Sequence, residues 1–371
     1  MNVEGYVLKY IEEIEKQRYD AYLVGTTVLQ HILGRPIEEY DMITSAPLFS
    51  LSKKQKEEEN IVHIQEHKKR IRIFFLTSKE TYYKECCYKV DTLLYHPKHG
   101  IIDEKQGLDD IERKRISVLD YNNLKGKPIF LLEALFYHVK FGFHFEQKLA
   151  NYLANFHGDF HSTKKIEIGK YLTAFLTLET PGKLFWKYKN IFSKFFPIND
   201  FQMKCLDYTK NTLILRLVLL WKNQDIILAE KFLREYGFSK EVRVRILQLL
   251  DCQEYLFTEE TLKNFLNFQK EDIGILFSIK RAEHCALNQI AEIPFLDALE
   301  KKCYILLEKQ QALMFRDLEI KAADLEQLGY QAHQIPKVLE YLLMLVKNNQ
   351  IQNSYEDLIK VASINQVKNY F

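Results

Sequence analysis

Glu39 and Asp41 stand two residues apart in RPIEEYDMITSA (35–46), a stretch that alternates apolar and polar and reads as a strand. Residues i and i+2 of a strand project from one face. Two carboxylates so placed can share a cation, and Mg²⁺ is the hard, oxygen-seeking ion that suits them. An isolated E-x-D is more often a solvated acidic face, so the flanking residues must decide. Three other constellations are weaker. His63-Ile64-Gln65-Glu66-His67 spells HxxEH, a zinc-protease pattern that needs a helix, whereas its flanks read as strand and turn. His157 and His161 bracket a short Gly-Asp-Phe segment with no third ligand nearby, as a polar loop would. The six cysteines (Cys86, Cys87, Cys205, Cys252, Cys285 and Cys303) show no CxxC spacing. Reduced thiols are expected, with the adjacent Cys86 and Cys87 buried as small hydrophobes.

Basic residues gather in three runs: Lys68, Lys69, Arg70 and Arg72; Lys164, Lys165 and Lys170; and Lys183, Lys187 and Lys189, interleaved with Phe185, Trp186 and Tyr188. Cations among aromatics suit an RNA backbone with occasional base stacking. Each run alone also fits a solvated helix face above a core.

These residues must be positioned by regular elements. Val3, Val7, Leu8, Ile11 and Ile14 recur at helical spacing, so 3–18 is expected to be an amphipathic helix. AYLVG (21–25) reads as a strand, and TTVLQHILG (26–34) as a helix capped by Gly34. IVHIQEHKKRIRIFFLTS (61–78) reads as two strands about a turn at Glu66–Lys69, VDTLLYHP (90–97) as strand or helix, and 100–116 as a loop entering a charged helix. The stretch from Lys53 to Asn60 reads as exposed helix or loop. From about Pro128 onward the period is helical, and the apolar stripes of 213–250 and 335–347 read as core.

The chain has 371 residues, 47% hydrophobic, with only 13 Gly and 8 Pro, which disfavours an all-β architecture and allows more than one core. Its formal net charge is +2, from 52 basic and 50 acidic residues, so nucleic acid would have to meet a local basic face. An acidic amphipathic N-terminus, no apolar run near the length of a membrane span and the cysteine usage point to a cytoplasmic protein without membrane contact.

The stretch AYLVGTTVLQHILGRPIEEYDMITSA (21–46) resembles, without a gap, the AYLVGGxVRDxLLGRPxxDxDxxTSA frame of the tRNA CCA-adding and poly(A) polymerase nucleotidyltransferases. ECCYKVDTLLY (85–95) falls on the family's RRDFTINALAY, and IIDEKQGLDD (101–110) on IDPxxGxxDL, with Asp103, Gly107 and Asp110 in register. LFYHVKFGF (135–143) matches VRFAAxLGF, and 320–358 is similar to the tail of the Gram-positive bacterial enzymes. The resemblance implies an α+β chain. A nucleotidyltransferase head with a small mixed β-sheet (1–118) would precede an all-α neck (119–200), body (201–300) and tail (301–371). It implies that Glu39 and Asp41 are the catalytic, Mg²⁺-binding pair for phosphoryl transfer to a 3′-hydroxyl. Nucleotide binding would fall on Gly25, Thr26, Arg35, Lys127 and Phe130, and RNA binding on Lys183, Lys187 and Lys189.

The frame departs from the family where charge is needed. Its second Gly and Arg–Asp pair become Thr26, Leu29 and Gln30, and RRD becomes Glu85, Cys86 and Cys87. The base-reading acid and arginine of EDxxR become Lys127 and Phe130, and the ERxxxE-like segment near Lys164–Ile168 is altered. SKETYYK (78–84) leaves no room for the family's flexible loop. The expectation is therefore an RNA-binding homologue with a degenerate site, standard C-C-A addition weak or lost, and tRNA or another structured RNA, not DNA, as partner. An active Mg²⁺-dependent transferase adding C or A to tRNA 3′ ends from CTP or ATP with altered specificity is the alternative. A regulatory protein whose head binds no nucleotide is a third reading.

Overall fold

The computed structural model describes residues 3–47, 57–58, 60–67, 69–251, 257–258, 261–266, 268–311, 314–348 and 350–364. Lys68, Cys252 and most of the charged stretch 53–60 lie outside these residues. Contacts sort the chain into two units, Met1–Phe175 with Tyr188–Phe195, and Leu176–Lys187 with Phe196–Phe371.

The first unit carries a seven-stranded mixed sheet. Its strands are β1 (Ala21–Val24), β2 (Glu39–Thr44), β3 (Glu57–Glu58), β4 (Ile61–Glu66), β5 (Lys69–Phe75), β6 (Leu94–His96) and β7 (Gly100–Ile102), in the order β3-β4-β5-β2-β1-β6-β7. Only β2 and β5 run parallel, pairing Glu39 with Arg70 and Asp41 with Arg72; the other neighbours are antiparallel. The expected loop at 100–103 is instead β7. Its Ile101 and Ile102 pair back onto Tyr95 and Leu94 across a tight turn, as branched residues on a half-covered surface do. VDTLLYHP is divided, with a 3-10 turn at Lys89–Thr92 before β6.

Strand alternation separates the two sheet faces. Tyr40, Met42, Ile64, Ile71 and Ile73 are buried on one face. Helix α1 (Gly5–Lys16) covers that face with Val7, Ile11 and Ile14, and Tyr6 meets Tyr40 edge-on at 6.4 Å. The opposite face carries Glu39, Asp41, Arg70 and Arg72, grading toward β6 into a small apolar patch of Val24, Ile43, Tyr83 and Leu94. Helix α2 (Thr26–Ile32) follows β1 directly and ends before Gly34, whose φ of +64° is the left-handed turn expected there. Helix α3 (Lys79–Glu85) fills the short SKETYYK segment, capped by Ser78, whose hydroxyl accepts the Thr81 N–H.

The Asp103–Gly107–Asp110 pattern has a structural meaning here. Asp103 accepts the N–H groups of Gly107 and Leu108 at 2.8 and 2.9 Å and opens α4 (Gly107–Glu112). A Cβ on Gly107 would lie 2.6 Å from the Lys89 carbonyl, so only glycine fits. Asp110, fully buried, accepts from Ser117 N and Oγ, both at 2.8 Å, and from Arg115. Helices α5 (Tyr121–Gly126), α6 (Ile129–Phe141), α7 (Gln147–Ala154) and α8 (Lys165–Leu176) follow, and the α+β expectation holds. The helical part is not strictly all-α: β9 (His144–Phe145) pairs with β8 (Arg115–Ile116).

The second unit is helical. Its longest helices are Lys270–Ala286 and Ile293–Gln311, and Leu213–Trp221 buries nearly every side chain from Leu215 on. Near the end, Leu325, Val338, Leu342 and Leu358 form a further core, closed by Tyr330 Oη donating to the Ala362 carbonyl at 2.7 Å. No helix among the described residues is long and apolar enough to cross a membrane.

Candidate functional site

The charged sheet face begins at Gly25. With φ +59° and ψ −135° it occupies a conformation essentially reserved for glycine, and it turns β1 into α2. Thr26 opens α2, and Thr27 behind it is buried. The Thr27 hydroxyl accepts the Asp41 N–H at 2.7 Å and donates to the Glu39 carbonyl at 3.2 Å, tying α2 to β2. This positions the Asp41 carboxylate above Gly25, where an added Cβ would lie 3.8 Å from Asp41 Oδ2 and 3.7 Å from Tyr82 Oη.

Glu39 and Asp41 do share a face, as their spacing implies, but each already faces a cation. Arg72 Nε donates to Asp41 Oδ1 at 2.6 Å and Nη2 to Oδ2 at 2.7 Å, a two-pronged fork. The Asp41 side chain is 8% exposed and that of Arg72 29%. Burial opposes the Arg72 charge, yet the adjoining carboxylate outweighs it, and the guanidinium is held above its ordinary value. Arg70 stands 3.6 Å from Glu39, and both side chains are substantially exposed, at 45% and 40%. The first pair is a fixed contact largely sealed from solvent; the second is a loose surface pair.

A buried acidic group adjoins the Arg72 pair. Tyr137 Oη donates to Asp91 Oδ1 at 2.6 Å, and Tyr82 Oη donates to the Asp91 carbonyl at 2.8 Å. Tyr137 and Tyr171 lie at 3.4 Å from Glu133 Oε1, while Glu133 Oε2 is sealed from solvent with no partner among the described residues. Burial pushes the Asp91 carboxyl up to about 7, opposed by the Tyr137 hydrogen bond. Glu133 is raised well above the carboxylate range, by burial and then by Asp91, with the Arg72 charge pulling the other way. Beside the Arg72–Asp41 pair, burial thus favours the neutral forms of Asp91 and Glu133, and the guanidinium's charge is answered mainly by Asp41.

A resident Mg²⁺ does not fit the side chains as they stand. Both Asp41 oxygens are engaged by the Arg72 fork. A divalent ion at that carboxylate would have to displace the guanidinium or share Asp41 with it against the repulsion of two like charges. No group of three His, Cys, Asp or Glu side chains among the described residues is arranged to hold a metal ion.

The remaining predicted residues fall in separate places. Lys127 pairs with Glu85. These are the two positions at which the sequence frame reverses the family's charges, and the reversed charges answer each other. Phe130 meets Tyr88 edge-on at 6.3 Å, and its carbonyl accepts the Tyr88 hydroxyl. Arg35 donates to the Lys140 carbonyl at 2.7 Å and lies over the Phe141 ring at 5.3 Å. In the first basic run Lys69 pairs with Glu4, Arg70 with Glu39 and Arg72 with Asp41, so these three cations serve the sheet. In the third run Lys183, Trp186, Lys187 and Lys189 are exposed while Phe185 and Tyr188 are core residues, and Lys183 and Lys187 belong to the second unit whereas Lys189 belongs to the first. His63 lies on β4, so HxxEH has no helix to act from, and His157 and His161 lie in an irregular loop. Cys86 and Cys87 are buried, and burial raises both thiols.

Comparison with solved structures gives the fold a precedent. The Bacillus stearothermophilus CCA-adding enzyme in complex with CTP superposes with a TM-score of 0.64 at 16% identity, over 98% of either chain. The chain has the fold of a CCA-adding enzyme. The Thermotoga maritima CCA-adding enzyme complexed with tRNA-CCA matches with a TM-score of 0.57 at 14% identity, over 97% of this chain and 95% of that one. A CCA-adding enzyme complexed with ATP matches at 0.58 and 14%, over 99% and 95%. No protein-family model matches the sequence. No curated protein matches it either.

On this CCA-adding fold the sequence reading missed Arg70 and Arg72 as partners of the acid pair, and Asp91 and Glu133 as the buried carboxyls beside it. The first had a signal. RIRI (70–73) alternates, so it sets both arginines on one strand face. The second had none, because Asp91 and Glu133 come together through a 3-10 turn and a helix 42 residues apart.

Proposed function

We propose that this chain is an RNA-binding protein on the CCA-adding fold in which ordered C-C-A synthesis is weak or lost. The observation that carries this reading is the Arg72 fork on Asp41, with both carboxylate oxygens held at 2.6 and 2.7 Å. Phosphoryl transfer of this class draws nearly all its rate from positioning and charge stabilisation around the phosphates. The acid that would organise that charge is held by Arg72, and the neighbouring carboxyls Asp91 and Glu133 supply no cation for a triphosphate. The fold's precedents bound to CTP, ATP and tRNA-CCA support tRNA or a similar structured RNA as partner, with CTP and ATP as weaker ligands. Lys183, Lys187 and Lys189, with exposed Trp186, are the side chains assigned to the RNA backbone.

Incubation with a tRNA lacking its 3′ end, labelled CTP and ATP, and Mg²⁺ tests the reading, with Glu39→Ala and Asp41→Ala alongside. Little or no incorporation, together with salt-sensitive tRNA binding that a triple Lys183, Lys187 and Lys189→Glu variant weakens at least tenfold, is expected. Efficient ordered addition of C, C and A that disappears in Asp41→Ala would overturn it. Addition of only C or only A, equally dependent on Asp41, would establish the transferase of altered specificity instead.

A further inference from the structure

The parallel pairing of β2 with β5 sets a residue of the chain itself where the acid pair would take a cation from solution. We infer that Arg72 is the permanent counter-ion of this site, so that the head neither requires nor recruits a divalent metal, and any ligand it takes is bound without one. This goes beyond the loss of C-C-A synthesis and rests on the site's geometry, not on that reading.

Three observations converge. The strand register fixes Arg72 opposite Asp41 and Arg70 opposite Glu39, so the match is made by the backbone and not by a chance rotamer. The fork is two-pronged, uses both carboxylate oxygens and is largely sealed from solvent, and Thr27 locks the Asp41 backbone beneath it. Finally, Arg72 is surrounded by acids: besides Asp41, its charge acts on the carboxyl of Glu133, and the charge of Glu39 acts on it in turn. Taking Arg72 away would leave Glu39 and Asp41 on one sheet face with no charge of opposite sign from β5 except the loosely held Arg70. Such a face is what a divalent ion seeks. The positive charge now present is the chain's own, and it cannot dissociate.

Titration of the full chain with Mn²⁺, read by electron paramagnetic resonance, tests this directly. The wild type is expected to bind no Mn²⁺ that Asp41→Asn removes. Arg72→Met is expected to gain a site at least tenfold tighter than any in the wild type, and Asp41→Asn added to it should abolish the gain. A wild-type site lost in Asp41→Asn would overturn the inference, as would a folded Arg72→Met variant with no gain. Should Arg72→Met fail to fold, restoration of its thermal transition by Mn²⁺ or Mg²⁺ supports the inference, and no restoration counts against it. The two readings fail separately. Metal binding at Asp41 without nucleotide addition refutes only the built-in counter-ion, whereas nucleotide addition without Mn²⁺ binding refutes only the lost synthesis.

Discussion

The two Arg–acid pairs of the sheet face make an internal comparison, since they share residue type, strands and register. Arg72→Met leaves the Asp41 carboxylate, 8% exposed, facing an apolar side chain. Removing one partner of a buried ion pair costs about 3–5 kcal/mol, because the other charge is stranded. Arg72 is itself 29% exposed, so the lower end of that range applies. Arg70→Met breaks a 3.6 Å pair whose two members are 45% and 40% exposed. Pairs of that kind are worth about 0–1 kcal/mol. The difference, about 2–3 kcal/mol, is roughly 30- to 150-fold in an equilibrium constant. The measurement must see the head. The two tryptophans, Trp186 and Trp221, both lie in the second unit, so their fluorescence does not report on it. Hydrogen exchange of the β2 and β5 amides, read by mass spectrometry, does. Arg72→Met should speed exchange in those strands by at least about 30-fold more than Arg70→Met. Adding Asp41→Asn should recover part of the loss, because no buried charge is then left alone. Equal acceleration by the two single substitutions, or no recovery in the double variant, would refute the reasoning.

Two further outcomes follow from other buried charges. Asp91 has a folded value raised to about 7 by burial, so its contribution to stability is full below its ordinary carboxylate value and is lost as pH rises through about 7. Calorimetry of the wild type should show the first unit weakening over that interval, and Asp91→Asn should flatten the slope; an unchanged slope would exclude Asp91 as its source. In the second unit Arg216 is fully buried and donates to the Leu176 carbonyl at 2.5 Å, to Thr209 Oγ1 at 3.1 Å, and to the carbonyls of Leu178 and Glu179. Arg216→Met should destabilise that unit by about 3 kcal/mol or more, since several buried acceptors lose their donor together. Denaturation followed by Trp221, on the same helix, measures it, and a loss under about 1 kcal/mol would show that water replaces the guanidinium.

The α+β class, most strands and the side on which Glu39 and Asp41 emerge were legible because period and turn residues are local properties. β7 was not, since its three residues become a strand only by pairing with β6. Arg216 shows the same limit from the other side. LILRLVLLW (213–221) reads as a core helix, which it is, but a helical period cannot say that the one charge within it will meet backbone carbonyls from 176–179. The acid pair marks the boundary most sharply. Its spacing fixes which face the carboxylates share, whereas what they meet there depends on a parallel neighbour about 30 residues away, and parallel pairing leaves no local mark.

A retained frame and the proposed loss of its chemistry need not conflict. Gly25, Thr27, Asp41 and the start of α2 form one interlocked corner, in which Asp41 supplies its N–H to Thr27 and its carboxylate to Arg72. Asp41 therefore does mechanical work that metal binding does not demand, joining β2 to both α2 and β5. An acid held for that reason would persist in a head that no longer polymerises, and the G-x-x-V…E-x-D frame would persist with it. The same corner makes Arg72 difficult to lose, because a carboxylate placed there must be answered by some cation. A metal from solution is one answer, an arginine from the adjoining strand is another, and the two compete for the same carboxylate while repelling each other. On the proposed reading, the residue on β5 opposite Asp41, more than the acid pair itself, is the position whose substitution should turn metal binding on or off in this head.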